Sequence, residues 1–465
     1  MAGRHLILVA TFSSSFLCNT LLQGLAGART ATPAPSAIPS RTQTATTEPV
    51  SGPSYVPPAC SNGPLPTVDP ATRTIGETPT PEANTPIDTA EQLQILDDLT
   101  EAVETVYVYP DYNGVDWPTL AAQLRQQVAS GIDTDSFYTD MGDLITALGD
   151  DHSQFQSPTI FALSQAELAG QNDFVGVGIL AKPMPDFDRV AVLVVFPDSP
   201  AEHEGLRPHD SILAVDGGPI VVAGQAHPEW VRGPECTLVV LTVQTPGGEP
   251  RLMALVRARL QAPLPIDAEL VPTGDGRRIG YILLPSLFDE TLPGQVERAL
   301  HELAPLDGLI LDNRINSGGS SSVLEPILGF FTSGTVGEFV SRTARRPLQV
   351  TADPVENSQT VPMVILIGQD TVSFGEIMSG LLRDIGRAQL VGETTGGNVE
   401  TLHSHSFDDG SNLWLAQETF DPLRSNADWE REGIIPDVFA FAEWHTFTLA
   451  TDPGVEAALQ LLPVP

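Results

Sequence analysis

One lysine, Lys182, stands in a chain of 465 residues, and the basic residues number 23 against 59 acidic ones, for a formal charge of −36. Phosphate recognition needs clustered Lys and Arg, and no basic run occurs anywhere, so nucleic acid is excluded as a partner. The plain meaning of the balance is a solvated acidic surface. Cysteine is nearly as scarce, limited to Cys18, Cys60 and Cys236. With no CxxC pair and no histidine–carboxylate cluster of zinc spacing, the sequence predicts no metal and no cofactor. Cys60 and Cys236 can pair outside the cell, but two cysteines make no disulfide framework. Long apolar runs are missing too. Beyond the N-terminus no stretch stays apolar for about 18 residues, which excludes a spanning helix in the mature chain.

What is present begins with an export-type leader. Arg4 and His5 precede an apolar stretch from Leu6 to Leu17, and Ala26-Gly27-Ala28 has the small residues of a cleavage site. Residues 1–28 therefore read as a signal peptide, and the protein as exported to the cell envelope or beyond. Cys18 follows Phe16-Leu17 where small residues are expected, which makes it a poor lipid-anchor site. Residues 29–87 are rich in Pro, Thr, Ser and Ala and bury too little apolar surface to offset the entropy of ordering, so they read as a disordered tether.

The remaining residues are enough for two or three domains. From 88 to 171 helical spacing dominates. Leu93, Leu96, Leu99, Val103 and Val106 mark a first helix with Asp88 or Thr89 as its cap, a second opens at Val115-Asp116-Trp117-Pro118, and a third runs from about Ser136 to Leu148. Residues 172–260 are β-rich, with FVGVGIL, RVAVLVVF and CTLVVLTV reading as strands. From 261 to 465 strands alternate with helices, which implies an α/β core with a sheet at least partly parallel. The fold class is thus multidomain α/β.

The chemistry concentrates in Val361–Thr401. The apolar run Met363–Ile367 reads as a buried strand, and Phe374, Ile377, Leu381, Leu382 and Ile385 fall at helical spacing until Gly386. Ser373 sits where strand hands over to helix. An exposed hydroxyl beside free backbone N–H groups suits a nucleophile there, although a lone serine at such a turn is usually an N-cap.

The string T-x-S-x-x-E followed by G-R-A-x-L-V-G-E-x-T-x-G resembles the nucleophile segment of the C-terminal processing, or tail-specific, serine peptidases and their tricorn-type relatives. The resemblance implies that Ser373 is the nucleophile and that Glu376 matches a carboxylate following it on the helix. In the processing peptidases a lysine 25 residues after the serine is the base. Here that position is Asn398, and a carboxamide cannot take a proton. The tricorn-type branch offers a Ser-His-Glu arrangement instead. Leu148-Gly149-Asp150-Asp151-His152-Ser153 is similar to the string that carries its histidine, and Trp429-Glu430-Arg431-Glu432-Gly433 to its closing carboxylate motif. The resemblance therefore assigns His152 as base and Glu430 as orienting carboxylate, with Glu432 in reserve. His403 and His405, just past the vacant lysine position, are alternative bases that no motif marks. Asp312 to Gly319 resembles the family's D-x-R-x-N-x-G-G loop, which implies an oxyanion hole from Gly318 or Gly319 with the amide of Phe374.

The string V-F-P-D-S-P-A-E-H-E-G-L-R-P-H-D-S-I-L-A-V-D-G is similar to bacterial PDZ domains, in which Cys236 stands where glycine is usual. That likeness implies a groove for the C-terminal ends of peptide or protein substrates at Phe174, Val175, Gly176, Val177 and Gly178. Two readings follow. One is an exported Ser-His-Glu endopeptidase that selects substrates by their C-terminal ends. The other is a catalytically inactive relative that uses only the PDZ-like groove. The oligomeric state has no signature in the sequence.

Overall fold

The computed structural model describes residues 52–61, 63–67, 84–150, 152–168 and 173–463. The expected signal peptide, Cys18 and most of the expected tether lie outside the described residues.

Asp88 accepts from the Ala90 and Glu91 amides and starts the helix Thr89–Val106. Asp116 and Asp133 cap Trp117–Ala129 and Thr134–Thr146 in the same way, each carboxylate satisfying N–H groups that no helical carbonyl reaches. The apolar faces of these helices do not close on one another alone. Leu99, Trp117, Phe137 and Met141 share one core with Leu402, Leu413, Trp414 and Leu415 from a sheet of the C-terminal domain. The strand Gln154–Gln156 completes the docking by pairing antiparallel with Asn412, Leu413 and Trp414.

The next module is an antiparallel sheet in the order Arg251–Val256, Leu238–Gln244, Ser211–Val215, Arg189–Val195, Ile179–Met184. FVGVGIL, expected as one strand, makes two. Asp173–Gly176 pairs with Ala258–Gln261, whereas Ile179–Met184 pairs with Arg189–Val195 and forms the edge of the main sheet. The break falls at Gly178, whose φ is +91° and where a Cβ would come within 2.2 Å of the Ser199 Cβ. Only glycine fits both demands.

The expectation of a featureless tether fails over residues 52–61 and 63–67. Cys60 is disulfide-bonded to Cys236 across 176 positions. The Leu238 amide donates to the Pro66 carbonyl at 2.9 Å, the Tyr55 ring stacks on His203 at 3.8 Å, and Glu204 accepts from the Tyr55 amide at 2.7 Å. Composition judged the segment by its low apolar content, and it is ordered instead by a covalent link and partners from the neighbouring domain. Cys236 itself adopts φ +61°, the conformation that glycine usually supplies.

The C-terminal domain carries a six-stranded sheet in the order Asp267–Val271, Ile279–Leu283, Gly308–Asp312, Met363–Ile367, Gln389–Gly392, Val438–Phe439. The first pair is antiparallel and the others are parallel. Fully buried strands such as Met363–Ile367 explain the unbroken apolar runs. Helices Leu292–Leu303, Ser321–Phe331 and Phe374–Asp384 pack with the sheet in one continuous core. Trp444 joins this domain to the β-rich one, its indole N–H donating to the Val192 carbonyl while its own carbonyl meets His209 Nδ1 at 3.0 Å. Lys182, on the sheet edge, ion-pairs with Asp370 three residues before Ser373. Among the described residues no helix is long and apolar enough to cross a membrane.

Candidate active site

Ser373 follows the central strand Met363–Ile367 and begins the helix Phe374–Asp384 at φ +56°, ψ −129°. That backbone is costly for a residue with a side chain and persists only where its surroundings fix it. Its amide donates to the Asn398 carbonyl at 2.8 Å and to Glu376 Oε2 at 3.2 Å. Glu376, fully buried, also accepts from the amides of Gly397 at 2.8 Å and Asn398 at 2.9 Å and from the Thr395 hydroxyl. The Glu376 carboxylate at the helix start is thus a clasp that ties the 395–398 segment to the turn bearing Ser373. The helix start also forms a capping box, in which the Ser373 side chain faces the Glu376 amide while the Glu376 carboxylate receives the Ser373 amide.

The Asp312–Gly319 loop lies against this turn. Asn313 donates from Nδ2 to the Gly375 carbonyl and to Ser379 Oγ at 2.7 and 2.8 Å, and Val372 donates to the Asn316 carbonyl at 3.0 Å. Gly318 has φ +88°, and a Cβ there would stand 2.6 Å from the Ser373 Cβ, 3.1 Å from its Oγ and 3.2 Å from the Phe374 amide nitrogen. The sequence left Gly318 and Gly319 open as donors, and hydrogen bonding separates them. The Gly318 amide donates to Asn316 Oδ1 at 2.9 Å. The amides of Gly319 and Phe374 donate to no described backbone group and are the pair left to meet an oxyanion.

His152 is buried and is brought to the core by the docking of the helical module. Asp150 Oδ1 accepts from its amide at 3.0 Å and from that of Ser153 at 2.7 Å, and Ser153 Oγ in turn receives the Ala416 amide at 3.0 Å. His152 Nδ1 lies 3.2 Å from Glu400 Oε2. Glu400 is two residues beyond Asn398, whose carbonyl holds the Ser373 amide, so one short segment carries the contacts of both residues.

The expected partner of His152 was Glu430, with Glu432 in reserve, and here the structure differs. The carboxylate against the imidazole is Glu400. Glu430 stands behind it, its Oε2 accepting from the Val399 and Glu400 amides at 2.6 and 3.2 Å and its carboxyl hydrogen-bonded to that of Glu400. Glu432 is exposed at the end of the short helix Trp429–Glu432. Burial pushes the Glu400 carboxyl up to about 7 and that of Glu430, which burial and the neighbouring Glu400 both disfavour as an anion, up to about 9. Tyr109, at the exit of the first helix, donates its hydroxyl to Glu400 Oε1 at 2.7 Å.

Glu400 was missed because V-E-T-L after the vacant lysine position reads as ordinary strand. The available signal was a glutamate, two residues past that position, that opens an apolar run. The other candidate bases are engaged elsewhere. His403 Nε2 meets Glu418 Oε2 at 3.3 Å, and His405 Nε2 is in hydrogen-bond contact with Gln417.

In the β-rich module, residues 174–176 of the expected peptide loop are spent in pairing with 258–260. The Phe174 ring packs edge-on against Phe196 at 5.7 Å. Val177 and Gly178 offer their carbonyls to Ala201 and Phe196, and their amides donate to no described backbone group, so these two positions retain the donors a terminal carboxylate needs. Among the described residues no group of three or more metal-ligating side chains occurs.

Residues 278–439 match peptidase family S41, a span that holds Ser373, Gly319, Glu400 and Glu430 but not His152. The chain is 29% identical over 400 residues to a carboxyl-terminal-processing protease of Synechocystis, covering 83% of this chain and 90% of that one. It is 27% identical over 375 residues to the protein of the same name from Picosynechococcus, covering 77% and 86%. Among solved structures, the photosystem II D1 C-terminal processing protease superposes with a TM-score of 0.51 at 22% identity, over 80% of this chain and 97% of that one, a likeness of fold.

Proposed function

For a chain that belongs to the S41 family of C-terminal processing peptidases, and is therefore a serine-type hydrolase, we propose the role of an exported endopeptidase that trims proteins recognised by their C-terminal ends, with Ser373 as nucleophile, His152 as base and Glu400 as orienting carboxylate. The observation that carries this reading is the buried 3.2 Å contact between His152 Nδ1 and Glu400. With Glu400 ionised, Nδ1 keeps its proton and Nε2 is left as the acceptor, the tautomer that can deprotonate a serine. Asn398 cannot do this work and Lys182 is tied to Asp370, which leaves the imidazole as base.

In this mechanism His152 Nε2 takes the hydroxyl proton as Ser373 Oγ adds to the scissile carbonyl. The oxyanion forms against the amides of Gly319 and Phe374, and the imidazolium returns its proton to the leaving amine. Water then repeats the sequence on the acyl-enzyme. The hydroxyl–imidazole link is the contact that substrate binding has to close, as such contacts are often loose without substrate. A histidine base in this reading corresponds to the tricorn-type arrangement and not to the Ser-Lys one. The Cys60–Cys236 disulfide supports an oxidising compartment and with it export, and the free amides of Val177 and Gly178 support capture of a terminal carboxylate.

The test is labelling of Ser373 by a fluorophosphonate. Ser373→Ala and His152→Ala abolish it in this reading, and His403→Ala and His405→Ala leave it intact. A Ser373 side chain placed as a helix cap favours a second reading, an inactive relative that only holds peptides. Failure of the wild-type chain to label under any condition, with peptide binding by calorimetry, establishes that alternative.

A further inference from the structure

Three polar side chains meet behind His152, and the triad as stated uses only one of them. Glu400 offers Oε2 to the imidazole and Oε1 to the Tyr109 hydroxyl. The Glu430 carboxyl touches that of Glu400, while its Oε2 already receives two backbone N–H groups. Two carboxyls in hydrogen-bond contact cannot both be ionised, so one carries a proton. Geometry assigns it. Glu400 faces donors on both oxygens and is the better site for the negative charge. Glu430 keeps one oxygen clear of backbone donors, and that oxygen can carry a proton toward Glu400.

We propose that Glu430 is a positioning residue, held as the neutral acid, which donates a hydrogen bond to the Glu400 carboxylate and together with Tyr109 fixes it against His152. The proposal rests on the Ser373–His152–Glu400 reading and changes the role that sequence similarity gave Glu430 from charged partner to neutral support. The upward shift of Glu430 agrees with it. So does the surrounding charge. Glu400, His152 and Tyr109 face Glu430 directly, and Asp150 and Tyr107 lie beyond them toward the helical module. On its other side Glu430 lines a cleft of about 640 Å³ with Tyr109, Val399 and Trp429. The arginines of that cleft are spoken for, Arg345 by Glu338 and Asp421 and Arg431 by Asp428. Among the described residues lining it, no unpaired arginine or lysine stabilises an ionised Glu430, and the cleft gives its proton a route to solvent.

The experiment uses the full disulfide-bonded chain and follows the second-order rate of fluorophosphonate labelling from pH 6 to 10. In the wild type the rate falls as pH passes about 9, where Glu430 ionises and repels Glu400. Glu430→Gln keeps a donor that cannot ionise. It is expected to lose less than about tenfold at pH 8 and to lack the alkaline fall, whereas Glu430→Ala drops by about 100-fold. Tyr109→Phe, which removes the second donor, lowers the rate further in the Ala background than in the Gln background. Labelling of Glu430→Gln as poor as that of Glu430→Ala, or an alkaline fall that persists in the Gln variant, overturns the proposal. If Glu430→Ala does not fold by circular dichroism, the pH profiles of wild type and Gln variant decide alone. Failure of the underlying triad looks different, since Glu400→Gln and His152→Ala then label at the wild-type rate.

Discussion

Replacing Gly318 by alanine tests whether the glycine loop belongs to the reacting geometry or merely neighbours it. The perturbation has two parts. The backbone sits at φ +88°, where a Cβ costs about 1–2 kcal/mol. That Cβ also lands 2.6 Å from the Ser373 Cβ and 3.2 Å from the Phe374 nitrogen, against the roughly 3.5–4 Å that two carbons prefer. Either the loop or the serine must give by about 1 Å. The loop is held by the Gly318 amide on Asn316 Oδ1 and the Gly318 carbonyl under the Leu287 amide, so the fold survives and the misfit appears between hydroxyl and oxyanion donors. Misplacing reacting groups by about 1 Å is worth about 100-fold in rate. Gly318→Ala is therefore expected to cut fluorophosphonate labelling by about two orders of magnitude while lowering stability by only about 1–3 kcal/mol. Gly334→Ala is the control, because Gly334 has φ +90° with nothing within 4 Å of the added carbon. It incurs the same backbone cost and should leave labelling unchanged. If the two variants label alike, the loop is not part of the reacting geometry.

Glu400→Gln lets an amide group face His152 Nδ1 and favours the tautomer with the proton on Nε2; labelling should fall by about 10²- to 10⁴-fold with the melting temperature held or raised. In the wild type, labelling should fall as pH drops below about 7, where Glu400 gains its proton. The buried Glu400 and the half-buried Glu430 have folded-state values raised above the unfolded 4.5. Their contribution to folding is fully present only below that value and is lost as pH rises through about 7 and about 9. Thermal melts should accordingly show stability declining from pH 5 to 9, less steeply in Glu430→Gln, and an unchanged slope in that variant counts against the neutral acid. Cys60→Ser should lower the stability of the β-rich module by about 2–4 kcal/mol, read as a lower melting temperature than that of the disulfide-bonded chain.

Local signals carried much of this architecture, and their failures share one cause. The cap at Asp88, the Leu292–Leu303 helix and the buried run Met363–Ile367 depend on neighbours within one or two turns, and sequence reading found them. Ser373, His152 and the Gly318-Gly319 pair were singled out because motifs marked them. What escaped was set by distant partners. The 52–67 segment is ordered by Cys236, Leu238 and Glu204. FVGVGIL divides because Ser199 crowds Gly178. The partner of His152 changed from Glu430 to Glu400 because the imidazole enters from another module, and the spacing of residues 400 and 430 along the chain does not reveal which of two stacked carboxyls it meets first.

In the proposed mechanism the base lies off the core, which has a physical consequence. A lysine at position 398 would sit on the same segment that Glu376 clasps to Ser373, so nucleophile and base would share one rigid frame. His152 instead arrives on a helical module whose apolar faces are completed only by Leu402, Leu413, Trp414 and Leu415 and whose backbone registration rests on three residue pairs between Gln154–Gln156 and the strand Asn412–Pro422. Partial opening of that interface leaves Ser373, the oxyanion donors and the PDZ-like groove intact while removing the base. It also strands Glu400 and Glu430 without the imidazole and without Tyr109, which leaves on the same module, so the two carboxyls resist separation from the groups that satisfy them. The polar cluster is then more than a proton-handling site. Its unmet hydrogen bonds make undocking costly and keep the histidine where the chemistry needs it.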